Sequence, residues 1–202
     1  MSSEPEPGTL RPGGRTARVR AAVLAAAGDV LAEQGFAELD LADIARRAEV
    51  GKTTVYRRWS SPTGLVTDLL AEMAEESLPR TATGSLRGDL AANARLVQRT
   101  LTDPRQGPLF RAVIAAATCD ERTAQALGQF YEVRVSEWAP AVQEAVERGE
   151  LPAGTDAAEV VRAVSAPLYY RMLTTGAAPT EADADRAVAA AVAAAEAGVY
   201  VS

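Results

Sequence analysis

Lys52, Thr53, Thr54, Tyr56, Arg57 and Arg58 crowd into one short segment, and Lys52 is the only lysine in the chain. The two threonine hydroxyls can bond base edges or phosphate oxygens, and their methyls can touch thymine. Arg57 can fork onto O6 and N7 of guanine. Lys52 and Tyr56, one helical turn apart, suit phosphate oxygens, and Arg58 adds charge at the flank. If the segment is helical, Thr53, Thr54 and Arg57 point outward together while Val55 and Trp59 face inward. That combination is suited to reading nucleic acid. Catalytic chemistry is poorly supplied by comparison. The 202 residues contain no histidine, which removes the commonest general base and the commonest zinc ligand. Gly51-Lys52-Thr53 ends like a phosphate-binding P-loop, but Arg46 stands where the first glycine is required. The segment before it reads as helix rather than strand. The expectation is therefore no enzyme, no metal and no cofactor.

A reading helix must be held by others. Val19, Ala22, Val23, Ala26, Ala27, Val30 and Leu31 recur on one face of a helix that begins near Thr16, and Gly35 is placed to end it. Asp40 then caps a second helix whose apolar face is Leu41, Ile44, Ala45 and Ala48. After Glu49-Val50-Gly51 the third helix starts, with Gly51 near its N-cap. Two short helices joined by a tight turn behind a longer one make a helix-turn-helix, and the small Ala45 and Ala48 let the second helix cross the first closely. Residues 1–14, rich in proline, glycine, serine and glutamate, read as a disordered tail. Arg11 there and Arg15 just beyond it are either solvated or part of an arm reaching DNA.

Several motifs agree in register with one known family. Gly35-Phe36, then Leu41-Ala42-Asp43-Ile44-Ala45, then Ala48-Glu49-Val50-Gly51-Lys52-Thr53-Thr54-Val55-Tyr56-Arg57-Arg58-Trp59 resembles the N-terminal domain of the TetR family over about residues 16–70. The resemblance implies that Lys52, Thr53, Thr54, Tyr56 and Arg57 touch DNA, and that the remainder of the chain senses a ligand and dimerises. Three positions depart from the family pattern. Glu49 replaces the turn glycine and has to take a left-handed conformation. Asp40 replaces the usual capping threonine, and its charge weakens a phosphate contact there. Pro62 replaces a lysine, so one phosphate contact is missing.

The overall charge of −6 conceals an asymmetry. Residues 11–60 hold nine basic side chains against six acidic ones, whereas residues 61–202 hold 12 against 19. Only the first part suits phosphate, and contact depends on the local field. The domains follow: tail 1–14, helix-turn-helix 15–61, and helical effector-binding and dimerisation domain 62–202. The alanine-rich apolar content and legible breaks predict an all-α fold of about nine helices. Beyond Pro62 these lie near 62–77, 86–102, 105–117, 120–148, 156–175 and 181–197. The breaks include Leu78-Pro79, Asp103-Pro104 and Gly149, Asp156 to Glu159 reads as a capping box, and Pro140 and Pro167 should kink or split their helices.

One helix-turn-helix binds few phosphates, so specificity calls for two copies on a near-palindromic double-stranded operator. For the homodimer interface the candidates are Val161, Val164 and Leu168 on the penultimate helix with Val188, Val192 and Ala195 on the last, unless these faces complete the internal core. Seven of the ten aromatic residues follow residue 61. Phe110, Arg111, Tyr131, Trp138 and Tyr169 are the candidate lining of a pocket for an unknown small, largely apolar effector, with Cys119 a weaker candidate. The single cysteine cannot form an internal disulfide, and no apolar run is long enough for a bilayer. The expectation is a cytoplasmic protein without membrane contact. A helical protein-interaction module would account for the second part but not for the basic reading helix.

Overall fold

The computed structural model describes residues 13–75, 80 and 82–202. Among them the chain forms nine α-helices and no named strand: α1 Gly13–Gln34, α2 Leu41–Arg47, α3 Lys52–Arg58, α4 Pro62–Glu75, α5 Leu86–Thr102, α6 Gln106–Ala117, α7 Glu121–Glu147, α8 Ala157–Thr174 and α9 Glu181–Glu196. The expected boundaries hold to within one or two residues wherever both ends are described. α1 starts earlier than Thr16, so Gly13 and Gly14 belong to a helix and not to the tail. The Arg18 guanidinium donates to the Gly14 carbonyl at 3.4 Å and helps close that first turn. The rest of the tail and the Leu78-Pro79 break lie outside the described residues.

Local chemistry sets the helix-turn-helix geometry. Gly35 ends α1 in the left-handed region, φ 86°, with its N–H donating to the Leu31 carbonyl at 3.1 Å. Asp40 Oδ1 accepts from the N–H groups of Ala42 and Asp43, each at 2.9 Å, which satisfies two orphan donors of α2. Glu49 takes the left-handed turn with φ 55°, and no other described non-glycine residue has positive φ. That conformation costs a non-glycine residue about 1–2 kcal/mol. Glycine would remove the cost while losing about 0.5–1 kcal/mol of backbone entropy. Glu49→Gly is therefore expected to raise the thermal midpoint by up to about 6 °C for a chain of this size, measured by circular dichroism; a lowered midpoint would contradict the strain.

Two buried clusters fill the molecule. The first joins α1 to α4, with Val23, Val30, Ile44, Val55 and Leu65 fully buried, to α6 and the start of α7 through Leu109, Phe110, Val113 and Phe130. The second joins α5, the rest of α7, α8 and α9 around Leu90, Val142, Leu168 and Ala195. The first three helices therefore share their core with the C-terminal part, and α6 and the start of α7 pack into the same cluster as they do.

Three expectations change here. Val161, Val164, Leu168, Val188, Val192 and Ala195 are all at most 4 % exposed and pack against each other inside the second cluster. They form the core of this chain and cannot be the surface offered to a partner. α7 and α8 each continue past their internal proline as one helix, so neither is split there. One lost N–H bond is tolerated where the flanking turns are anchored, as by the buried Trp138, Ala141 and Val142 around Pro140. Asp156 caps α8 through Ala158 and Glu159 N–H, but its own N–H goes to the Tyr200 carbonyl at 2.8 Å, and Glu159 pairs with Arg162. The reciprocal capping box forms instead between Thr180 and Asp183.

Candidate nucleic-acid interface and adjoining cavity

α3 is held from below by Val55 and Trp59, 0 % and 3 % exposed. Its other side presents Lys52, Thr53, Tyr56, Arg57 and Arg58 to solvent, with Thr54 half-buried. The sequence-predicted residues thus converge on one surface, and α3 contains no acidic residue. Among the described residues no carboxylate pairs with Lys52 or Arg57, so neither charge is neutralised by a neighbour on this face. Arg58 is different. Its guanidinium lies 5.2 Å over the Trp59 ring and 3.8 Å from the Asp68 carboxylate, so it also fastens the end of α3. The neighbouring Arg46 and Arg47 are engaged locally. Both bond Asp43, Arg47 also reaches Glu33 at 3.0 Å, and these arginines hold the Asp43 carboxyl below its ordinary value.

Behind α3 lies a polar cluster that sequence reasoning missed. Trp59 Nε1–H donates to Asp68 Oδ2 at 3.0 Å. Arg20 of α1 donates to Asp68 Oδ1 at 2.6 Å and to Glu72 Oε1 at 2.7 Å. Burial pushes the Asp68 carboxyl up, but the hydrogen bonds from Arg20 and Trp59 outweigh it and hold the group below its ordinary value of 3.8. A depressed pKa stabilises the fold above the ordinary value, and that contribution is lost as pH falls through the folded one. Asp68→Asn is expected to cost about 1–2 kcal/mol at pH 7, allowing for partial exposure. Urea denaturation should find that difference shrinking below about pH 4; a difference independent of pH would contradict the role.

A cavity of about 500 Å³ opens between α1, α4, α5, α6, α7 and α8. Of the candidate lining residues, Phe110, Tyr131 and Tyr169 border it. Arg111 and Cys119 are exposed at the surface instead. Trp138 is buried in the second cluster; it shares a helix face with Tyr131 but lies about 10 Å farther along α7, past the cavity end. Phe110, Phe130, Tyr131 and Tyr169 form a chain of ring contacts with centroids 5.4, 5.4 and 5.5 Å apart. Burial raises both tyrosine phenols above their ordinary range, so both stay neutral at neutral pH.

The polar lining was not foreseen. Asn93, Glu72, Arg105 and Arg134 all border the cavity. Arg105 donates to the Ala25 carbonyl at 2.9 Å and to Asp29 at 2.5 Å on α1. It can sit so close because Gly28 has no side chain: a Cβ there would be 2.9 Å from the Arg105 guanidinium. Glu72 reaches α1 through Arg20. The cavity wall is therefore tied to α1 twice, and Asp68 continues the second tie to Trp59 at the end of α3. The pairings of Arg20 and Arg105 join residues 48 to 80 positions apart, and no periodicity in a sequence marks them. Among the described residues no three of His, Cys, Asp or Glu gather as metal ligands would, and no helix is long and apolar enough to cross a membrane.

Residues 23–69 match the family model described as bacterial regulatory proteins, tetR family. Residues 80–191 match that of the tetracyclin repressor-like C-terminal domain. The chain is 32% identical over 156 residues to the HTH-type transcriptional regulator YdeS of Bacillus subtilis, covering 77% of this chain and 78% of that protein. It is 30% identical over 158 residues to the DNA-binding transcriptional repressor TetR of Mycobacteroides abscessus, covering 77% and 83%. The crystal structure of the TetR family transcription regulator SCO0332 superposes with a TM-score of 0.69 at 30% identity, covering 87% of this chain and 97% of that one.

Proposed function

The chain belongs to the TetR family of bacterial regulatory proteins, DNA-binding transcriptional regulators rather than enzymes, and from that premise we propose that it is a repressor released from a near-palindromic operator by a small molecule. The observation that carries the DNA-reading part is the exposed face of α3. Lys52, Thr53, Tyr56 and Arg57 stand on it above a buried Val55 and Trp59. The repressor sense is supported by the Mycobacteroides abscessus relative, which carries that description.

The homodimer uses a different surface from the residues chosen on sequence. α8 turns Ala166, Pro167, Tyr170 and Leu173 to solvent, with Tyr170 68 % and Leu173 44 % exposed. α9 exposes Ala182, Ala189, Ala190 and Ala193. Large apolar groups on one helix and small ones on the next permit close helix packing between copies. The ligand enters the cavity and acts on α1 and α4, which form part of its wall and carry the ties to α3. Release follows if the ligand prefers a separation of the two reading helices that the operator does not, and its effect is limited to that difference in affinity.

Gel-shift titration of an operator at fixed salt tests the reading. Arg57→Ala is expected to lose about 1–3 kcal/mol, or roughly tenfold to a hundredfold in affinity, and to relax base preference at one position per half-site. Lys52→Ala should weaken binding to all sequences alike and lower the salt slope by about 1. Unchanged affinity and base preference in Arg57→Ala would contradict the assignment of α3 as the reading helix.

A further inference from the structure

We infer that the cavity takes an uncharged, flat aromatic molecule carrying an O–H or N–H donor that Asn93 receives. This deepens the effector reading above and rests on it. Three observations on the cavity wall support the class.

The first is Asn93. Its side chain borders the cavity, the residue is 5 % exposed, and its Oδ1 is buried with no hydrogen-bond partner in the protein. A buried carbonyl oxygen without a partner is costly, and a donor on a bound molecule relieves that cost. The second is charge. Each charged group on the wall is already matched within the protein: Glu72 with Arg20 at 2.7 Å, Arg105 with Asp29 at 2.5 Å, and Arg134 with Glu137 at 3.1 Å. A carboxylate or ammonium headgroup has to break one of these pairs or remain unpaired in a mostly apolar space, and both are unfavourable. The third is shape. Phe110, Phe130, Tyr131 and Tyr169 contact one another in tilted and edge-on arrangements along one side, and such rings favour a further aromatic ring with offset or edge contact. A cavity of about 500 Å³ lies in the range of pockets that hold drug-sized ligands, about 300–1,000 Å³.

The test is a titration of the full chain with probes of one size by calorimetry, followed by gel shift of the probe-bound protein on operator. The probes are 4-phenylphenol, 4-methoxybiphenyl, biphenyl-4-carboxylate, 4-phenylbenzylammonium and the non-planar 4-cyclohexylcyclohexanol. 4-Phenylphenol is expected to bind most tightly. The methoxy compound, which has no donor, should bind roughly tenfold to a hundredfold more weakly. The two ions should bind at least about tenfold more weakly, and the non-planar alcohol several-fold more weakly. Asn93→Leu should bring 4-phenylphenol and 4-methoxybiphenyl within about twofold of each other; because this is a ratio on one protein, a change in overall stability does not affect it. Tighter binding of either ion, a preserved phenol-to-methoxy ratio in Asn93→Leu, equal binding of the non-planar alcohol, or no binding of any probe would overturn the inference. The expected ranking with no change in operator affinity would leave it standing and overturn the switch instead.

Discussion

Trp59→Ala is expected to lower the stability of the chain by about 3–5 kcal/mol, the usual cost of deleting a buried tryptophan, and to remove operator binding with it. Trp59 is 3 % exposed, directly follows α3, donates its indole N–H to Asp68 and lies under the Arg58 guanidinium. It is the point where the reading helix is fastened to α4. Trp59→Phe separates its two roles: the ring largely remains and the N–H is lost, so the cost should fall to about 1–2 kcal/mol. Urea denaturation followed by circular dichroism measures both. A Trp59→Ala chain that unfolds within 1 kcal/mol of the parent would contradict the packing described. A Trp59→Phe chain as unstable as Trp59→Ala would assign the effect to the hydrogen bond rather than the ring.

The second large effect concerns the paired state. Tyr170→Glu with Leu173→Glu places two charges in the exposed apolar stripe of α8. Central apolar anchors of an interface are worth about 2 kcal/mol or more each. The dimer dissociation constant should therefore rise by about a thousandfold or more, and operator affinity should fall with it, because a single helix-turn-helix makes too few contacts. The monomer itself should keep its stability to within about 0.5 kcal/mol, since both side chains are surface groups. Leu168→Glu, one of the positions chosen on sequence, should do the opposite: it buries a charge in the second cluster, where Leu168 is 0 % exposed, and the chain should fail to fold. Sedimentation velocity and thermal denaturation of the two variants distinguish these outcomes. A double variant that stays dimeric would place the partner surface elsewhere.

The contrast between Leu168 and Tyr170 shows what the sequence makes legible. Apolar periodicity identifies the side of a helix that is buried, and on α8 it led to Val161, Val164 and Leu168. It does not say whether a helix of the same chain or of another covers that side. When a chain buries its strongest stripe internally, only a weaker one is left exposed, here Tyr170, Leu173 and alanines. The exposed basic face of α3 was legible for the opposite reason. α3 is short, its inward positions are few, and a run of Lys, Thr, Tyr and Arg on the other side has little reason to exist except contact with a polyanion. Caps and turns were legible too, because Asp40, Gly35 and Glu49 act on backbone within a few residues of themselves. The Arg20–Asp68–Glu72 cluster, the Arg105 clamp on α1 and the exposure of Arg111 depend on how helices far apart in sequence are rotated against each other. Aromatic content pointed to a cavity and found three of its walls. Its polar groups, above all Asn93, sit at positions that read as ordinary helix surface.

Selection of duplexes from a random pool by the purified chain, followed by sequencing, tests the central claim most directly. The account predicts one enriched motif, an inverted repeat with half-sites about one helical turn of DNA apart or a multiple of it, and loss of information at a single base pair of each half-site when Arg57→Ala is used. Enrichment of no sequence above background, or of a motif that Arg57→Ala reads equally well, would contradict it.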